Sequence, residues 1–145
     1  MAAALGYGSL IKIGDSASPE QFTAVAKITS LNGISLTKDS PEITNTASTG
    51  RAREYIVGLL DGGTIDFEFI SLPNDTSQSG TNAKGLAYHI LNDTALRNFQ
   101  LYINSTTPVT WTVSGIITNF SLSAVPSEAQ TGSASIKVSG KPTLV

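Results

Sequence analysis

The chain has no cysteine, one histidine, one tryptophan and one methionine, and only 14% of its 145 residues are charged. Without cysteine, a disulfide framework and thiolate metal sites are both excluded. With His89 as its only imidazole, the chain has little to build a tight transition-metal site from. No apolar run approaches the ~20 residues needed to span a bilayer, so no membrane partner is expected. The start, Met1 to Leu5, is apolar but has neither a basic region nor a long apolar core, so it is not read as a secretory signal. The scarcity of charge also limits the partners. A formal net charge of −2 gives no global field that would draw nucleic acid or an anionic surface.

Ser, Thr, Asn and Gly fill the space left by the missing charges, and that composition suits a β protein rich in turns. The length allows one domain with a real core, taken as residues 1–145. The clearest strand is 64–70, where Ile65, Phe67 and Phe69 alternate with Thr64, Asp66, Glu68 and Ile70. Further strands are expected at 22–29, 34–37, 55–60, 99–103, 109–113, 115–125 and 132–140, with an edge strand at 9–13 inside an N-terminal arm, 1–20. Asn32-Gly33 and Asp61-Gly62-Gly63 read as turns, and 73–82 as a polar connector. Residues 83–97 read as the single helix, with Leu86, Ile90 and either Ala87 or Leu91 on the face that covers a sheet. Between 115 and 125, Ile116, Phe120 and Leu122 share one parity and Ile117 the other, so a bulge near Gly115 could shift the register. The expected class is mainly β with one helix, either a two-sheet antiparallel sandwich or a partly closed barrel.

Catalytic patterns fail on local context. Ser9/Lys12 and Ser35/Lys38 have Ser-x-x-Lys spacing, but in strand-like sequence residues three apart point to opposite faces. Gly140-Lys141 lacks an upstream glycine and runs into Pro142, so it forms no phosphate loop. Asn74-Asp75 and Asp93 show no alternating oxygen ligands and read as turn chemistry rather than calcium. The sequons at Asn74, Asn92, Asn104 and Asn119 match what chance gives in so Asn/Ser/Thr-rich a chain. His89 beside Tyr88 reads as a surface or boundary residue. The chain is therefore read as non-enzymatic, with no catalytic residue, metal or cofactor.

One segment departs from every periodicity. Residues 38–54 offer only Ile43 as a sizeable apolar anchor among Asp39, Glu42, Arg51, Arg53 and Glu54, and a loop this long is either disordered or a functional arm. It is too polar to offset its own ordering entropy, so folding against another copy of the chain would explain its presence. Arg51, Arg53 and Glu54 are then either a solvated cluster or an ion-pair site between subunits.

Two stretches resemble the tail tube proteins of long, non-contractile-tailed bacteriophages. The first begins Arg53-Glu54-Tyr55, passes Gly58-Leu59 and Asp61-Gly62-Gly63, and ends in the alternating strand to Phe69. The second runs from Thr112 to Phe120 and then from Ser133 to Gly140-Lys141-Pro142, with one helix between the two stretches. The resemblance covers about residues 20–142. It implies a subunit that self-assembles into stacked hexameric rings and contributes strands to a central barrel, through which DNA passes into the host without specific binding. It further implies a virion location after assembly in the host cytoplasm, with tape measure and tail tip or terminator proteins as partners. Tubes of contractile tails and of type VI secretion are related alternatives, and a β-sandwich binding or capsid-decorating module is another. The dispersal of Trp111, Tyr55, Tyr88 and Tyr102 counts against a sugar-stacking platform.

The physical reason for pooling strands is that a lone barrel of about eight strands fills its own interior with side chains. Four strands from each of six copies, at ~4.8 Å spacing and ~40° tilt, would close a circle on the order of 45–50 Å across. Thr64, Asp66 and Glu68, with Ser133, Ser135 and Lys137, are the polar rows expected to face such a lumen. A face that simply meets outside water would carry the same residues.

Overall fold

A computed structural model describes residues 7–72, 74–105 and 107–144, so the apolar start at Met1 to Leu5 lies outside the described residues. Nine strands and one helix follow in order: β1 (Leu10–Gly14), β2 (Phe22–Ala24), β3 (Ile28–Asn32), β4 (Thr37–Lys38), β5 (Leu60–Asp61), β6 (Thr64–Ile70), α1 (Leu86–Asn92), β7 (Arg97–Ile103), β8 (Val109–Ser123) and β9 (Thr131–Leu144). Seven strands form one antiparallel sheet in the order β2-β1-β7-β8-β9-β6-β3, and β4 pairs only with β5. The class is the expected one, mainly β with one helix, and hydrogen-bonded pairing does not close the sheet into a barrel.

The two long strands make one sheet behave as two layers. β8 pairs with β7 through Arg97↔Gly115 and no further, whereas its pairing with β9 continues to Ser123↔Thr131. Thus β2-β1-β7 flank the first half of β8, and β9-β6-β3 continue from its second half. The two halves bury a common core, with Ile11, Ile13, Phe99, Leu101 and Val113 from the first and Ile65, Phe67, Phe69, Ala134 and Ile136 from the second. Alternation explains this. Over Thr64–Phe69 and Thr131–Val138 every second residue is apolar and buried, and the residues between them are polar. Gly115 is required where the layers diverge, because a Cβ there would sit 2.3 Å from the Lys137 carbonyl oxygen.

Chain connectivity brings the sheet's two edges together. β2 and β3 lie at opposite ends of the strand order, yet only residues 25–27 separate them, and Lys27 turns the chain at φ 58°. The expected single strand over 22–29 is therefore two, one on each edge. The connector after β6 plugs the joint. Gln78 Nε2 donates to the Ala26 and Ile70 carbonyls (2.9 and 3.1 Å), and Ser77 Oγ accepts from Ala26 N (2.9 Å). Asp75 shapes this connector by accepting from the Ser77 amide and hydroxyl, which confirms the turn reading of its carboxylate.

Several expectations need correction. The edge strand expected at 9–13 in an N-terminal arm is instead β1, an interior strand between β2 and β7 that buries Ile11 and Ile13. The helix is shorter than 83–97, because Gly85 precedes its first turn and Arg97 already belongs to β7. Its inward face is Leu86 and His89, while Leu91 is 73% exposed. Residues 109–113 and 115–125 are one strand, with irregularities between Thr112 and Ser114 and between Ile117 and Asn119, on either side of Gly115. The second shift breaks the expected parity: Ile116 faces outward opposite Lys137, and Ile117 and Phe120 face the core, where Phe120 stacks on Phe69.

Candidate functional site

The polar rows singled out in the sequence lie side by side on one exposed sheet face. Register pairs Thr64 with Lys137, Asp66 with Ser135 and Glu68 with Ser133 across β6 and β9. The row continues on both flanks, to Asn32 and Ser30 on β3 and to Asn119 and Ser121 on β8. Ser135 donates its hydroxyl to Asp66. Lys137 Nζ approaches Asp61 Oδ1 at 3.4 Å, and Asp61 also accepts from the Gly63 amide at 2.8 Å. The Gly63 amide and then Lys137 hold the Asp61 carboxyl below its ordinary value. Lys137, the one cation of these rows, thus lies beside the exposed Asp61 carboxylate, and the face is polar and weakly acidic.

The half-sheet carrying this face is open on both sides. Among the described residues no strand pairs with β8 beyond Gly115 on the side away from β9, and none pairs with the outer side of β3. Unpaired edges of this kind attract further strands. The four strands alternate in direction, so β3 runs opposite to β8 and the two open edges are mutually antiparallel.

The segment expected to be either disordered or a functional arm forms the first leg and the tip of a hairpin. Beyond β4 and β5, Asp39 N donates to Leu59 O and Gly58 N to Asp39 O, Ile56 N to Pro41 O, and Ile43 N to Glu54 O (2.7–3.0 Å), with Glu42 bridged to Tyr55. The tip closes through Asn45, whose Oδ1 accepts from Ala47 N, and through a single 3-10 turn at Thr49–Arg51. The arm therefore extends over residues 37–61. Residues 55–60, expected as a strand, are its outer leg, and they expose Tyr55, Ile56, Val57 and Leu59, the last two at 75% and 81%. Asp39, Glu42, Ile43, Arg51, Arg53 and Glu54 all lie on this arm, and among the described residues none of the five charged ones forms an ion pair within the chain. The apolar outer leg, more than the charges, is what the sequence reading missed. Its β-branched run was the available signal.

His89 is buried, not a surface residue, with only 2% exposure. Its Nδ1 lies 3.3 Å from Asp93 Oδ1, and Arg97 binds both Asp93 oxygens (2.7 and 2.9 Å) while donating to the Gly14 carbonyl at 2.8 Å. Burial, and then the Arg97 charge, push His89 below its ordinary pKa, outweighing the opposing pull of Asp93. Burial would raise Asp93, but Arg97 and His89 more than offset it and leave the carboxyl lowered. Among the described residues no three His, Cys, Asp or Glu side chains converge as metal ligands.

No family model matches the sequence, and no curated protein matches it. Solved structures do match. A chain from the tail of an empty gene transfer agent particle, determined with C6 symmetry, is 20% identical, with 99% of each chain covered and a TM-score of 0.73. A chain from the native gene transfer agent virion is 19% identical over 99% of each chain, with a TM-score of 0.71. A chain from the extended sheath-tube complex of an extracellular contractile injection system is 11% identical, covering 99% of this chain and 91% of its own, with a TM-score of 0.69. The chain thus shares its fold, over its whole length, with chains of gene transfer agent tails and contractile injection systems.

Proposed function

We propose that this chain is a structural, non-catalytic subunit of a phage-like tail tube, in which copies join edge to edge into rings that stack. One observation carries the reading: the half-sheet β8-β9-β6-β3 has two open, mutually antiparallel edges and one continuous polar face. Joining β3 of one copy to the second half of β8 of the next extends the sheet without breaking its alternation. Four alternating strands per copy close into an all-antiparallel barrel for any number of copies, and closure removes every edge. The C6 symmetry of the gene transfer agent tail supports six copies per ring.

In this arrangement Thr64, Asp66, Glu68, Ser133, Ser135 and Lys137 line the lumen. Their lack of free positive charge suits a conduit that DNA crosses without being held, because each phosphate contact would be multiplied along the tube. The arm, with Asp39, Glu42, Ile43, Arg51, Arg53 and Glu54, is assigned to contacts between subunits or rings. It hides Tyr55, Val57 and Leu59 there. The assembled protein belongs in the virion tail after assembly in the host cytoplasm, with tape measure, tail tip and terminator proteins as its other partners. The sequence resemblance favours a tail without a contractile sheath. The likeness to a contractile injection system supports the second reading, a tube inside a sheath.

The absence of cysteine makes the edge pairing directly testable. Strand tilt staggers the register at each junction, so cysteine at Ser30 is combined in turn with cysteine at each outward position along the free edge of β8, Ile116, Asn119, Ser121 and Ser123; the matching combination should cross-link only between copies and yield a ladder ending at the ring. Negative-stain microscopy should show rings or tubes. Monodisperse particles, with no cross-link from any of the combinations, would overturn the proposal.

A further inference from the structure

We propose that His89, Asp93 and Arg97 form an acid-sensitive latch, which holds helix α1 and the 14–21 loop on the sheet while His89 is neutral and releases them when its Nε2 takes a proton. The argument begins with tautomers. A carboxylate can only accept, so the 3.3 Å approach of Nδ1 to Asp93 is a hydrogen bond when Nδ1 carries the hydrogen. Nε2 is then a bare acceptor, and it is the one fully buried side-chain polar atom among the described residues that lacks a partner. Protonation would place a charged N–H where no acceptor exists, beside the Arg97 cation, and an unpartnered buried donor is costly.

The surroundings leave the new charge without a counterion of its own. On the helix itself Tyr88 meets the His89 ring edge-on at 5.7 Å between centroids. β8, which packs against α1, carries no ionisable side chain from Val109 to Ser123. β7 contributes Arg97, of the wrong sign. In the segment leading into the helix, Asp75 is engaged by Ser77 and Lys84 is a further cation on an exposed residue. The loop acids are also committed: Glu20 accepts from Asn98 and from Ser16 N, and Asp15 from Ala17 and Gln21 N. Only Asp93 faces the ring, and Arg97 already takes both of its oxygens.

What the cluster secures is local. Arg97 ties Asp93 to Gly14 O, where the 14–21 loop begins, and Ser16 in that loop is held at φ 61°, a left-handed conformation that persists only under external restraint. Arg97 also pairs with Gly115, the last residue of β8 that β7 holds. Releasing the latch therefore loosens the point where β8 separates from β7, and leaves the β6-β9 pairing intact. The latch is a property of the folded chain and does not depend on tube formation.

The test uses the full chain between about pH 8 and about pH 5, a window in which histidine is the side chain that ordinarily titrates. Hydrogen exchange, corrected for its intrinsic pH dependence, should show protection in 14–21 and 86–97 falling about tenfold per pH unit below about 6.5, while β6 and β9 keep theirs. His89→Asn, which keeps a donor toward Asp93 but does not titrate, should abolish that slope. Because the chain has one histidine, its ring resonance gives a second reading on the unaltered protein. In the folded state the resonance should remain that of the neutral ring below about pH 6.5. An ordinary histidine titration with unchanged protection would overturn the latch. So would a parallel loss in β6 and β9, which would mean global unfolding.

Discussion

Replacing Val57 and Leu59 with alanine should leave the isolated subunit intact and cripple its assembly. Both side chains lie on the outer leg of the arm, 75% and 81% exposed, two residues apart on an extended segment and therefore on the same side. Truncation removes two carbons from Val57 and three from Leu59. At about 0.8 kcal/mol per buried carbon, scaled by the surface each has left to bury, the lost contact is about 3 kcal/mol per copy. At 1.4 kcal/mol per decade, the critical concentration for polymerisation should rise on the order of 100-fold. The subunit itself should change by no more than about 0.5 kcal/mol, as is usual for exposed sites. Sedimentation across a concentration series gives the first quantity and thermal unfolding of dispersed subunit gives the second. An unchanged critical concentration would show that the outer leg does not meet another copy. A clear fall in melting temperature would show instead that these residues support the subunit's own fold.

Two further outcomes probe the two sides of the inner sheet. Phe67→Ala empties a core position packed against Phe69 and should cost about 3–5 kcal/mol, a fall of roughly 10 °C or more in melting temperature. A small shift would place Phe67 outside the shared core. Glu68→Arg, on the opposite face of the same strand, should leave the melting temperature within a degree or two. In assembled tubes it should make duplex DNA bind in a strongly salt-dependent way, because every copy adds a phosphate contact. If variant tubes ignore DNA at low salt, Glu68 faces away from the lumen.

How far local sequence speaks for this fold varies by element. In 64–70 and 132–140 the period-2 alternation was legible, and the parity of each residue followed from it, because one face meets a core and the other does not. Strand 115–125 had the same composition, but its parity was set by the irregularity at Ile117/Asn119, which depends on how β9 crosses it. Residues 22–29 read as one strand, and only the meeting of the two sheet edges shows why Lys27 must break it. The helix was overextended because Leu96 and Arg97 suit helical spacing as well as they suit the start of β7.

The arm and His89 mark the limit of local reading most clearly. Residues 55–60 read as a strand, but apolar side chains carry no sign of whose surface will cover them. Among the described residues, Val57 and Leu59 are left largely uncovered. Residues 38–54 show no periodicity because their order comes from backbone hydrogen bonds to the partner leg rather than from an apolar face.

The sequence by itself determined the β class, the single helix, the absence of sulfur chemistry, and the pairing of an apolar with a polar face on β6 and β9. These follow from composition and from a period that each strand carries alone. Only the tertiary structure decided that one sheet would fold into two layers, that two antiparallel edges would remain open, that residues 37–61 would form a hairpin with an apolar outer leg, and that His89 would be buried without a partner for Nε2. Each of these depends on which distant segments meet, and burial and edge pairing are properties of that meeting rather than of any residue's own neighbourhood in the chain.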